Sequence, residues 1–325
     1  MMKRWRVHLL IACGLFAAAL TANAQSPPKV WRIGWLGLDS SMQTTRLLAF
    51  KDGLWQLRYV EGKNVTIEYR WAEGRFDRLP ELAAELVASH VDVIVTASPP
   101  GVRAAQGATR GIPIVMIVHE PVLMGFVQSL ARPGGNITGL AFQDTDLSNK
   151  RLDLFRQAVP RLSRLAILWN ATATDAKELQ IVEDTAKAMG LQVLSLEIRE
   201  PRDFATAMAA AKSWGAQGML PMAAPFITKH RQVLLDLLRT YNLPATCEFK
   251  LYVEEGCLMT YSANLDAMFQ RLAYYVDRVL KGANPGDLAI EQPREFEFVI
   301  NLKTARALGL VIPSLLRLQA TEVIQ

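Results

Sequence analysis

Leu79-Pro80-Glu81-Leu82-Ala83-Ala84-Glu85-Leu86-Val87-Ala88-Ser89-His90-Val91-Asp92-Val93-Ile94-Val95-Thr96 decides the fold class. Its first half places Leu79, Leu82, Ala83, Leu86 and Val87 on one stripe at helical spacing, with Asp77 as the cap ahead of it. Its second half, Val91 to Thr96, is a short apolar run, the pattern of a strand covered on both faces. A helix leading into such a strand is half of a parallel α/β unit.

The same alternation extends both ways. Upstream, Val30 to Leu38 reads as a strand, Met42 to Leu57 as a helix and Val65 to Arg70 as a strand. Downstream come a helix starting near Pro100, strand Ile114 to Val118 and the turn cluster Arg132-Pro133-Gly134-Gly135-Asn136. Ile137 to Phe142 is a short strand or crossover, and a second series then begins. Strands Leu165 to Trp169, Gln192 to Ile198, Met219 to Pro221 and Ala245 to Phe249 alternate with helices Asp175 to Met189, Asp203 to Trp214 and Thr228 to Tyr241. Asp175 and Glu178 have capping-box spacing. Two such series split by a Pro/Gly cluster predict two doubly wound parallel-sheet lobes. The last quarter is less regular: strand Leu258 to Ser262, amphipathic helix Leu265 to Leu280, alternating Glu295 to Asn301, and a tail expected to dock.

The chain's 325 residues, 50% hydrophobic and 21% charged, suffice for two cores. Lys3, Arg4 and Arg6 precede an apolar run from Leu9 to Leu20, and Ala22-Asn23-Ala24 follows. That is the order of a cleavable secretory signal over residues 1–24. Leu10-Ile11-Ala12-Cys13 has the local shape of a lipoprotein box, but using it would leave only a few apolar residues before Cys13, so soluble release is favoured. Loss of the three basic residues lowers the formal charge from +5 to +2, and no basic stripe remains. Nucleic-acid binding is therefore unsupported. Cys247 and Cys257 are left. An oxidising compartment permits a bridge, yet two cysteines ten apart are more often unpaired strand or core residues. Neither has metal-ligand spacing to another cysteine or to histidine.

Enzyme signatures are missing at the strand ends. The chain contains no dinucleotide fingerprint, phosphate loop, nucleophile elbow or H-E-x-x-H motif. No cofactor or metal is expected. The strand ends carry polar residues instead, at the edge where open α/β sheets bind ligands. In the first lobe these are Ser40 and Ser41, Ala97 and Ser98, and His119 and Glu120; in the second they are Asn170, Met222, Glu248 and Phe249. Tyr261 and Asn264 complete the candidate ligand-binding set. Ser40, Ser41 and Ser98 each precede a helix, where free N–H groups suit a carboxylate; each also reads as an ordinary N-cap. Glu120 suits a ligand ammonium or caps the next helix. His119 reads as a packing residue rather than a base. Phe249, Tyr261 and Trp169 offer stacking faces, though Trp169 reads first as core.

Several stretches resemble the ABC-transporter substrate-binding family that includes tryptophan/tyrosine-type binding proteins. They are Tyr59-Val60-Glu61-Gly62-Lys63-Asn64-Val65, Asp77 to Ala83, Val91 to Val95, Ser129 to Gly139 and Phe298 to Ala305. The resemblance runs from about Val30 to Ile324 and implies the type I periplasmic-binding-protein fold, with a three-strand hinge. Mapped here, the crossings fall near Ala141–Thr145, Glu255–Tyr261 and Asn284–Pro293. The N-terminal lobe is then 29–143 plus 257–283, and the C-terminal lobe 144–256 plus 284–325. At Glu120 the family often has aspartate, and Asp39 to Thr45 matches no family pattern. The implied protein is a monomeric periplasmic receptor that closes its lobes on a small organic solute, an amino acid or aromatic carboxylate, and docks on an ABC permease in the inner membrane. Alternatives are a periplasmic sensor subunit, which would use the same cleft, and an enzyme on the same scaffold.

Overall fold

The computed structural model describes residues 29–40, 44–142, 144–171, 176–222 and 224–325. The expected signal segment, Ser41, Thr172 and Asp175 lie outside them. The first sheet has five parallel strands in the order β2-β1-β3-β4-β5, formed by β1 (Trp31–Gly37), β2 (Val65–Trp71), β3 (Val93–Thr96), β4 (Ile114–His119) and β5 (Ile137–Phe142). Successive residues of β1, β3, β4 and β5 enter opposite cores, whereas edge strand β2 buries Val65 and Ile67 on one face only. Ile33, Val93, Val95, Val115 and Ile117 join the cluster beneath helices α1 (Thr44–Gln56) and, from much later in the chain, Leu265–Leu280. Leu36, Ile94, Ile114, Met116 and Val118 join the cluster beneath α2 (Leu79–Ala88) and α3 (Pro99–Ala108). Two covered faces explain why β3 and β4 read as continuous apolar runs.

The second sheet starts as β7-β6-β8, all parallel, with β6 (Arg164–Asn170), β7 (Gln192–Ile198) and β8 (Gly218–Pro221). Parallel bridges Met219 to Ala245 and Thr246 to Met259 carry it on to β9 (Met259–Ala263), which pairs antiparallel with β10 (Phe296–Asn301) and through it with β11 (Glu322–Ile324). This lobe is therefore mixed at one side. Helices α4 (Asp144–Ala158) and α5 (Ala176–Ala188) bury Leu152, Phe155 and Val182 on one face. Helices α6 (Asp203–Trp214), α7 (Pro225–Lys229), α8 (Arg231–Thr240) and α9 (Lys250–Glu254) cover the other. The single helix expected from Thr228 to Tyr241 is two, broken at His230 (φ −102°, ψ 19°). The expected strand Ala245 to Phe249 reduces to two bridged residues. The tail docks as expected, through Thr321 N–H on the Phe298 carbonyl at 2.8 Å.

Two expected boundaries move. Residues 257–263 belong to the second lobe, because Leu258 and Met259 pack with Phe298 and Ile300 and β9 pairs with β10. The chain crosses only at Asn264, which caps the long helix α10 (Leu265–Leu280) by accepting the Ala267 N–H at 2.9 Å. Residues 284–291 belong to the first lobe. Ile290 N–H reaches the Leu130 carbonyl at 2.7 Å, and Ala141 and Glu291 pair beside β5 at 2.9 Å. The third crossing follows near Pro293 to Glu295, and the Asn264 N–H on the Glu295 carbonyl at 2.9 Å ties it to the second. The expected first crossing, near Ala141–Thr145, includes Gln143, which lies outside the described residues. The return of α10 needs Gly53 on α1, since a Cβ there would stand 2.4 Å from the Gln270 carbonyl oxygen. Short α11 (Leu302–Ala307) and α12 (Ser314–Gln319) finish the second lobe.

Candidate functional site

The facing rims of the two sheets enclose a cavity of about 90 Å³. The first lobe supplies Ala97 and Ser98 just past β3, His119 at the end of β4, Phe142 at the end of β5, and Arg46 one turn into α1. Phe269 of α10 backs them. The second lobe supplies Glu178 from the first turn of α5, Pro225 and Thr228 from α7, and Phe249 ahead of α9.

Each wall has a local cause. Ser98 is extended and its Oγ accepts the Gly101 N–H at 3.1 Å, so it caps α3 while lining the cavity. His119 stacks on Phe142 with ring centroids 4.7 Å apart. Its Nε2 lies 3.7 Å from Oε1 of buried Glu248, a contact between the lobes. The Arg46 guanidinium stands over Phe249 at 5.2 Å and Phe269 at 5.9 Å. Burial pulls the Arg46 pKa below the usual arginine value, and Tyr252, Glu248 and Asp266 oppose that pull. Burial also pushes the Tyr252 phenol upward, and its hydroxyl donates to Thr228 Oγ1 at 2.9 Å. The cavity thus has a cation on one wall, carboxylates of Glu178 and Glu248 on and behind the other, and aromatic faces between.

The residues expected from sequence divide. Ala97, Ser98, His119 and Phe249 line the cavity. Ser40 is exposed just past β1, and Ser41 lies outside the described residues. Glu120 is one residue from the wall but turns at φ 36°; its N–H meets the Phe142 carbonyl at 3.2 Å and its carbonyl accepts the Met124 N–H at 3.0 Å. Asn170 is fully buried, its side-chain amide donating to the Ile198 carbonyl at 2.8 Å. Met222 continues the pairing beyond β8, N–H on the Leu168 carbonyl at 2.8 Å, and sinks into the core. Tyr261 lies on Phe296, centroids 5.9 Å apart, on the core side of β9. Asn264 is the α10 cap and lines a separate groove. Sequence reading missed Arg46 and Glu178. A single arginine near a helix start was the available signal for the first, and the capping-box reading absorbed the second. Cys247 and Cys257 are bridged, against the expectation of unpaired thiols; their Cα atoms lie 6.4 Å apart, within disulfide reach.

Two α/β lobes, one on a parallel sheet and one on a sheet mixed at one side, with a cavity between their facing rims, define a solute receptor of the type I periplasmic-binding-protein fold. The chain belongs to the family described as ABC transporter substrate binding protein, matching it over residues 39–324. A tyrosine-binding protein from Clostridioides difficile is 25% identical over 255 residues, 78% of this chain and 73% of that protein. The crystal structure of an ABC domain in complex with L-Trp from Streptococcus pneumonia superposes with a TM-score of 0.85 at 22% identity, covering 91% of this chain and 100% of that one. A conserved domain protein from Vibrio cholerae gives the same TM-score at 23% identity and the same coverage. Membership implies a small-molecule ligand, a membrane permease as partner, and work outside the cytoplasm; the curated relative is a binding protein. Among the described residues no helix is long and apolar enough to cross a membrane.

Proposed function

We propose that this chain captures an aromatic amino acid in the periplasm, without transforming it, and delivers it to an inner-membrane ABC permease as a monomer released from its 1–24 leader. The observation that carries this reading is the charge order of the cavity: Arg46 on one wall, Glu178 on the other, and Phe142, Phe249 and Phe269 between them. A zwitterion with an aromatic side chain matches that order. Its carboxylate pairs with Arg46 and accepts a hydrogen bond from the Ser98 hydroxyl, since the Gly101 N–H of α3 is already held by Ser98 Oγ, and its ammonium pairs with the second-lobe carboxylates. Names of relatives support the class: one binds tyrosine and another was crystallised with L-Trp.

The lobes must part for this to happen. The cavity of about 90 Å³ is smaller than the ~150 Å³ apolar cavity that admits benzene. An aromatic ring therefore enters an opened cleft, separating His119 from Glu248, and the lobes close on it. The solute favours closure only through contacts with the second lobe that the open form lacks.

Thermal melting of the mature protein with L-Trp, L-Tyr and L-Phe tests the reading. At about a hundred times Kd each ligand that binds should add ~2.7 kcal/mol, a shift of several degrees in Tm. Tyramine and 3-(4-hydroxyphenyl)propanoate, each lacking one charge, should shift it much less. No shift from any aromatic amino acid overturns the proposal.

A further inference from the structure

The interlobe space continues beyond the wall formed by Arg46 and Phe249. Both residues also bound a second chamber of about 440 Å³ that adjoins the first. Its hinge-side wall is built by facing strands. Ser262 of β9 and Glu297 of β10 are directly opposed in antiparallel register, and Asp266 enters from the first turn of α10.

This wall is short of positive charge. Among the described residues neither Asp266 nor Glu297 forms an ion pair within 4 Å. Of the cations that line the chamber, Arg231 holds Glu255 through two bonds of 2.8 Å, Lys250 holds Glu322, and Arg46 stands over Phe249 and Phe269 on the wall shared with the inner cavity. Burial raises the Glu297 carboxyl pKa. Lys250 opposes this, while Asp266, Glu322 and Glu254 add to it. An acid in the first turn of a helix is ordinary, so Asp266 alone says nothing. Ser262 is different. It is only 3% exposed, and its Oγ has no hydrogen-bond partner among the described residues although it lines the chamber. A buried, unpartnered hydroxyl on a chamber wall beside carboxylates with no ion pair within 4 Å is matched to a donor that enters the chamber from outside.

We propose that this outer chamber is a cation-accepting subsite, in which Ser262, Glu297 and Asp266 receive the ammonium or guanidinium of a solute whose aromatic end occupies the inner cavity. The proposal rests on the receptor reading above and extends it from single aromatic amino acids to longer solutes, of the size of an aromatic-basic dipeptide. Asp266 comes from the first lobe, Ser262 and Glu297 from the second. A cation held by all three gains its full contacts only when the lobes close, so it strengthens closure as well as contact.

Calorimetric titration of the mature protein with Tyr-Lys, Tyr-norleucine and L-tyrosine tests it. The dipeptides share their backbone and a four-carbon second side chain and differ in the ammonium that ends it in lysine. Tyr-Lys should bind about tenfold or more tighter than Tyr-norleucine near neutral pH and low salt. Glu297→Gln should bring that ratio close to one, and Ser262→Ala should reduce it. The ratio is the readout, so a variant that merely folds or closes less well lowers both affinities and leaves it in place. Equal dipeptide affinities, or a ratio untouched by both substitutions, overturn the subsite. If L-tyrosine binds while the dipeptides are indistinguishable, only the subsite falls. If no aromatic amino acid or dipeptide binds, the receptor reading falls and takes the subsite with it.

Discussion

The two rims of the cleft are built differently. On the first lobe the strand ends themselves meet the cavity: Ala97 and Ser98 follow β3, and His119 ends β4. On the second lobe the strand ends are swallowed. Asn170 ties β6 to β7 through the Ile198 carbonyl, Met222 extends β8 into the core, and Tyr261 packs on Phe296. There the cavity meets first helical turns and a loop, through Glu178, Thr228 and Phe249. The rule that ligands sit at strand carboxyl ends locates the edge correctly in both lobes. It names residues only where pairing stops at that edge. In the second lobe the backbone pairs one residue further, so the wall shifts outward by about a turn.

The rims also differ in what holds them, and that gives the largest expected effect. The first is fixed by parallel strands. The second depends on the 247–257 loop, which carries Glu248 and Phe249 and is closed by the Cys247–Cys257 bridge. Replacing both cysteines by serine should cost roughly 3 kcal/mol of stability, from the chain entropy of a short closed loop. Denaturant unfolding of the second lobe would read it. A loss much below 1 kcal/mol would mean that the loop is held by packing alone, as the first rim is.

Charge comes next. Arg46→Met removes the cation of the first wall while keeping most of its bulk. Affinity for an aromatic amino acid should fall about 10- to 100-fold, the ~1.5–3 kcal/mol of a charge-assisted hydrogen bond. Phe249→Ala, on the opposite rim, should cost about 1 kcal/mol, near fivefold, through lost ring contact. Titration calorimetry separates the two. If the Phe249 effect exceeds the Arg46 effect, the second rim dominates recognition.

A smaller effect lies at the third crossing. Arg271 of α10 grips Glu291 with bonds of 3.0 and 2.7 Å. That hydrogen bonding, more than the opposing burial, holds the Glu291 carboxyl below its ordinary value. The sign follows: the stabilisation is present above the unfolded glutamate pKa of about 4.3 and disappears as pH falls through the lower folded value. Glu291→Gln should cost about 0.5–1 kcal/mol at neutral pH and flatten the acid side of a Tm-versus-pH curve below pH ~4.3. An unchanged acid limb would show that the crossing is set by the β5 pairing and not by this ion pair.

The lobes were legible in the sequence because both faces of each sheet are covered, which turns strands such as Val93–Thr96 into unbroken apolar runs. The hinge was less so. Residues 258–262 have a strand pattern that fits either sheet, and only pairing with β10 assigns them to the second. Pairing of Cys247 with Cys257 depends on a through-space separation that spacing does not encode. Arg46 looked like any solvated helix residue until α10, supplied from more than two hundred positions away, placed Phe269 beside it. Ser98, His119 and Phe249 were found because strand ends are a local feature; Glu178 was hidden because a first-turn glutamate already has a sufficient local explanation.

Glu120 gives the sharpest contrast, because the expected change is close to nothing. A strand-end carboxylate beside His119 is the natural ammonium partner when strand ends alone are considered. The backbone turns left-handed at this residue, and both of its main-chain groups are committed to the Phe142 and Met124 hydrogen bonds. The cavity wall ends one residue earlier, at His119. Glu120→Gln keeps the shape and removes the charge, so amino-acid affinity should move less than about twofold, well under the ~1.5–3 kcal/mol of a direct charged contact. A loss of tenfold or more would place Glu120 against the ligand ammonium. The first rim would then hold both ends of the zwitterion, and the division of opposite charges between the lobes, on which ligand-driven closure depends here, would no longer stand.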